Sequence, residues 1–150
     1  MGSRRQGREI ALQALYRVEL TGDHSPEPLE LLWQHFEAPI DSRGFALELV
    51  HGVLERREVI DKLLSEAAEN WSLARLSRVD LNILRIAVFE LLERGDRVPT
   101  SVVIDEAVEI ARRYGGEQSS QFVNGVVDQI AGRLGIRDRR DTPGGSGLES

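Results

Sequence analysis

No cysteine occurs anywhere in the chain. Its absence excludes a disulfide framework, a thiolate nucleophile and thiolate-ligated metal sites. Long apolar runs are missing as well. The longest, Ile86 to Phe89, falls far short of the roughly 20 residues that span a bilayer. The first residues carry no apolar core of the secretory kind. The expectation is a soluble cytoplasmic protein with no membrane contact. His24, His35 and His51 stand in no ligand spacing, HExxH included. No GxSxG elbow, phosphate-binding loop or dinucleotide fingerprint is present. These gaps leave no candidate catalytic residue, metal site or cofactor, so an enzyme is not the expected class.

What the chain does have is a globular balance: 150 residues, 41% hydrophobic and 29% charged. The expected organisation is one helical domain over residues 1–136. The tail 137–150, "RDRRDTPGGSGLES", has almost nothing to bury and is expected to be disordered. A net charge of -6 argues against a nucleic-acid partner, but the distribution argues otherwise. Residues 1–18 hold four arginines and one glutamate. Local patches, not the whole-chain balance, are what attract phosphates.

Periodicity reads as all-α, with six or seven helices and no competing β-alternation. The first helix runs from about Arg4 to Leu20, with Ala11, Ala14, Leu15 and Val18 on one stripe, and ends at Thr21-Gly22. Pro26 and Pro28 open a second, through Leu29, Leu32, Trp33 and Phe36. A long pattern from Asp41 to about Asn70 predicts a break near Arg56–Glu58. Ser77 and Asp80 form a capping box for a helix reaching about Arg94. That helix is apolar nearly all round and therefore central. Pro99 opens a further helix, whose stripe is Val103, Ala107, Ile110, Ala111 and Tyr114 and which Gly115-Gly116 stops. Ser119 or Ser120 is expected to precede the last one.

Three stretches break local rules. In "SRRQGREIALQALY", Arg4 and Arg8 share the stripe that becomes core at Ala11 and Leu15. Unpaired guanidiniums cannot be buried, which predicts that the first two turns project beyond the core. Two readings follow, a phosphate-contacting arm or a solvated end with an Arg5–Glu9 pair. In "QFVNGVVD", Gly125 sits mid-helix at a cost of about 1 kcal/mol against Ala. Close packing against a neighbouring helix is the expected reason. In "LSRVDLNILRIAVFELL", Arg85 and Glu90 are expected to pair, because a buried charge without a partner is costly.

Those stretches, with "VPTSVVIDEAVEIARRYG" and "SSQFVNGVVDQIA", lie in an order and spacing that resembles the NusB family of transcription antitermination factors. The resemblance covers most of residues 4–131. It implies about seven helices in two packed subbundles and a non-enzymatic role. Family members bind boxA RNA of ribosomal RNA leaders, together with the ribosomal protein NusE. Through other Nus factors they promote read-through by RNA polymerase. Carried onto this sequence, the resemblance implies RNA contacts at Arg4, Arg5, Arg8 and Tyr16, and again at Gln118, Ser119 and Phe122. Arginines would serve the backbone and aromatics the exposed bases of a single strand. It implies partner contacts at Asp80 and, less directly, Glu106, where acidic charge suits a basic ribosomal protein. The same fold serves as an accessory domain in some ribosomal RNA cytosine methyltransferases, but those need catalytic cysteines and a separate cofactor domain. Whether the free protein is a monomer or a homodimer stays open.

Overall fold

The computed structural model describes residues 2–22, 40–68, 76–94 and 98–135. The expected helix through Leu29 and Phe36, and the tail from 137 onward, lie outside the described residues. Within them are six helices and no strand: α1 (Gly2–Thr21), α2 (Ile40–Glu55), α3 (Arg57–Ala67), α4 (Arg78–Arg94), α5 (Thr100–Gly115) and α6 (Glu117–Leu134). α1 lies along α2 in one subbundle, and α3 to α6 form the other. α4 touches all five of the other helices. None of the helices is long and apolar enough to cross a membrane.

The apolar helix is the axis of the molecule. Every residue from Leu81 to Leu91 is buried. Its start is capped as expected, with the Asp80 backbone N–H donating to Ser77 Oγ at 3.0 Å. The long pattern breaks where expected, at Arg56 between α2 and α3. Gly22, just past α1, and Gly116, between α5 and α6, adopt φ of 73° and 93°, left-handed values that favour glycine. The last helix begins earlier than expected. Glu117 is its first residue, so Ser119 and Ser120 lie inside its first turn, where Ser120 Oγ donates to the Glu117 carbonyl at 2.7 Å.

Gly52 and Gly125, both within helices, have opposite roles. A Cβ on Gly52 would come within 2.1 Å of the Phe89 ring, so α2 and α4 cross there because that side chain is absent. A Cβ on Gly125 would meet nothing within 4 Å, and the residue is exposed. Close packing inside the chain is therefore not the reason for Gly125. Gly52→Ala should lower stability by about 1–3 kcal/mol through overpacking. Gly125→Ala should raise it by about 0.5–1 kcal/mol. Thermal unfolding followed by circular dichroism checks both signs; equal shifts would contradict the packing difference.

Candidate nucleic-acid and partner interface

The arginines of the first helix do not form a projecting overhang. Arg8 is buried, with its side chain 6% exposed, and donates through Nε and Nη2 to both oxygens of Glu90, each at 2.8 Å. Glu90, at 2% exposed, is the acid that sequence reasoning had paired with Arg85. Arg5 donates Nε and Nη2 to Glu106 at 3.0 and 2.9 Å, while its side chain stays 40% exposed. The Arg5–Glu9 pair of the alternative, solvated-end reading does not form: Glu9 accepts from Arg113 of α5 instead. Arg4 is exposed, and its guanidinium lies 4.3 Å from the centroid of the Phe45 ring on α2. The three arginines thus separate into one buried structural group, one half-open group and one outward group. Helical periodicity puts Arg4 and Arg8 on one stripe, but it cannot supply the carboxylates of Arg8 and Arg5, which lie 82 and 101 residues away.

Arg85 is also buried, and it clasps two other acids. Its Nε and Nη2 meet Asp61 of α3 at 2.9 and 3.0 Å, and its Nη1 meets Glu19 of α1 at 2.7 Å. Arg78 adds a second bond to Glu19 at 2.8 Å. Four charged residues of α1, Arg5, Arg8, Glu9 and Glu19, therefore make ion pairs that join it to α4 and α5. Burial opposes ionisation of Glu19, but the hydrogen bonds from Arg85 and Arg78 and the charges of Arg85 and Arg57 outweigh it and hold the carboxyl below its ordinary range. The Glu106 carboxyl is held low chiefly by its hydrogen bond from Arg5, which prevails over burial.

Two grooves open beside the first turn of α4. The first, of about 290 Å³, is lined by Leu12, Gln13, Tyr16, Arg17, Leu20, Val79 and Tyr114. It is largely apolar and holds exposed aromatic and aliphatic side chains, with Leu20 63% exposed. Tyr114, expected on the core stripe of α5, forms part of this groove instead. The second groove, of about 500 Å³, is lined by Leu76, Ser77, Asp80, Gln118, Ser119, Gln121 and Phe122. It brings together three of the expected RNA residues and one expected partner residue. Asp80 does not present a free charge there: it accepts the Ser119 hydroxyl at 3.1 Å, and its Oδ1 is buried without a hydrogen-bond partner. A Cβ on Gly115 would fall 2.4 Å from Ser119 Oγ, so the α5–α6 turn closes tightly over this junction. Tyr16 lies outside this groove and about 12 Å along α1 from Arg8, at 1.5 Å per residue. Among the described residues no cluster of His, Asp and Glu could hold a metal ion.

Fold and surfaces define an α-helical bundle protein whose leading helix begins in an arginine cluster and which has two grooves beside the first turn of α4. Residues 5–132 match the model of the NusB family, and the chain belongs to that family. A relative from Sorangium cellulosum, named "Transcription antitermination protein NusB", is 45% identical over 139 residues, covering 93% of this chain and 99% of the relative. The solved structure of T. maritima NusB is 38% identical, with a TM-score of 0.76 over 92% of this chain and 94% of its own. A chain from a structure described as antitermination factors NusB and NusE in complex with dsRNA is 28% identical, with a TM-score of 0.80 over 89% of this chain and 98% of its own.

Removing one member of the buried pair strands the other. Arg8→Ala should therefore lose about 3–5 kcal/mol of stability in urea unfolding, whereas Arg4→Ala should lose less than about 1 kcal/mol. A similar cost for both would contradict the division of roles. Glu19 and Glu106 have lowered folded-state values, so their contribution to stability is complete above the unfolded carboxylate pKa of 4.5 and fades as pH falls through the depressed folded values. Unfolding free energy measured from pH 6 down to about pH 3 should fall less steeply in Glu19→Gln than in the wild type. Parallel curves would remove Glu19 from the account.

Proposed function

We propose that this protein is a non-enzymatic, cytoplasmic RNA-binding adaptor of transcription antitermination. In this reading Arg4 and the outward edge of Arg5 meet the backbone of a single-stranded boxA-type RNA. Phe122, with Gln118 and Ser119 beside it, receives an exposed base in the second groove. The ribosomal protein NusE docks in the first groove, on Tyr16, Leu20, Val79 and Tyr114. Other Nus factors and RNA polymerase are reached indirectly through that complex.

The observation that carries the proposal is the likeness in fold to the NusB chain of a NusB–NusE–RNA structure over nearly all of both chains. Groove chemistry supports the division of labour. An apolar groove with exposed tyrosines suits a protein partner, since large exposed apolar patches mark docking sites. A groove of amides, a hydroxyl and one aromatic suits a base. On this reading Tyr16 moves from the RNA contacts to the partner surface, and Arg8 and Asp80 hold the scaffold rather than touch a ligand.

Fluorescence anisotropy of a labelled boxA RNA against a scrambled strand, with and without NusE, tests the proposal. Preference for boxA that NusE sharpens is expected. The Arg4→Ala/Arg5→Ala double variant should lose about 10-fold or more in RNA affinity with unchanged helix content. Leu20→Glu should abolish the NusE effect and leave binding of RNA alone intact. Equal, weak binding to both strands in the presence of NusE would overturn the reading.

A further inference from the structure

We infer that Glu106 is an internal competitor for phosphate, which holds down the sequence-independent part of RNA affinity. The inference rests on the RNA-binding role proposed for the arginine tip. Arg5 has a rigid fork of donors, and the Nε–Nη2 edge is one that can grip a carboxylate or a phosphate through two parallel bonds. Both bonds of that edge are taken by Glu106, at 3.0 and 2.9 Å. The same carboxylate stands 3.9 Å from Arg8. Glu106 is therefore placed against two of the three cations at the tip.

Charge on this side of α1 is close to balanced. Glu106 offsets Arg5, Glu90 offsets Arg8, and Glu9 offsets Arg113. Among the described residues only Arg4 at this tip has no carboxylate against it; it rests on the Phe45 ring. The Arg8 pair is too buried to open, but the Arg5 pair is not. Arg5 is 40% exposed and Glu106 20%, so an arriving phosphate can reach the guanidinium. It must then displace the carboxylate or approach within a few ångströms of its negative charge. Either way, a strand held only by charge is disfavoured. A strand also held through base contacts in the Phe122 groove has other contacts to offset that cost. Phosphate contacts carry no sequence information, so weakening them raises the share of affinity that base reading supplies. Glu106 thus acts as a specificity-determining residue, although it touches no base.

Glu106→Gln tests this with little disturbance, since the amide oxygen still accepts one bond from Arg5 while the negative charge is gone. Anisotropy titrations of a boxA RNA and a scrambled RNA, without NusE, are run from about 50 to 300 mM salt. Both strands should bind several-fold tighter to Glu106→Gln than to the wild type, the scrambled strand by at least as much. The slope of log K against log salt should steepen by about 0.7, the share of one single-strand phosphate contact. Unchanged or weaker binding by a folded Glu106→Gln protein, or tighter binding with an unchanged slope, would overturn the inference while leaving the RNA-binding role intact. Absence of measurable binding by the wild type and the variant alike would overturn both. If Glu106→Gln is unfolded at the assay temperature, the wild type serves instead. The Arg5 Nε–H resonance, fixed by Glu106 in the free protein, should shift on addition of the boxA RNA; an unmoved resonance in the RNA-bound protein would overturn the inference.

Discussion

The buried bond between Arg8 and Glu90 fixes everything around it. Two charges taken out of water carry a large desolvation cost, and only close, two-pronged geometry offsets it. With both bonds at 2.8 Å, α1 can neither slide nor rotate on α4 without stranding a charge in the core. Once α1 is held there, the surface pairs fall into line. Arg5 reaches Glu106 and Glu9 reaches Arg113, both on α5, and Glu19 reaches the Arg85 clasp on α4. The apolar core supplies the driving force, but it is non-directional. The ion pairs add the directional constraint that holds α1 in this register.

That register separates outward arginines from structural ones. A protein with a net charge of -6 can attract RNA only through a local concentration of cations. Here the first helix presents Arg4 and half of Arg5, and withdraws Arg8. The grooves beside the first turn of α4 complete the surface. Val79 lines one and the adjacent Asp80 lines the other, so two neighbouring residues of the most buried helix border both grooves. The tight Gly115–Ser119–Asp80 junction keeps α6 in place behind Phe122.

Much of the fold was legible in the chain because it is written in local signals. The Ser77 cap, the break at Arg56, the Gly116 stop and the wholly buried centre of α4 all follow from spacing and from residue types with one backbone preference. The site was legible in part. Gln118, Ser119 and Phe122 do share a groove, and Arg4 is outward. What sequence could not show were partners distant along the chain. Arg8 looked unpaired because Glu90 lies far away in sequence, and Arg85 was matched to Glu90 because that acid was near in sequence and sat on the same apolar helix. Asp80 looked like a surface charge because the serine that ties it inward belongs to another helix. Gly125 looked like a packing glycine, yet its Cβ position is open.

The most direct test of the account replaces the buried pair as a unit. In the Arg8→Met/Glu90→Met double variant, apolar side chains of similar length fill the same space without stranding a charge, a change that is often neutral or stabilising. Urea unfolding and boxA RNA anisotropy are measured on the same sample. The account predicts stability at or above that of the wild type and RNA affinity within about two-fold, because Arg8 positions the helix and does not touch the ligand. A variant that stays folded but loses RNA binding would place Arg8 among the RNA contacts and contradict the account.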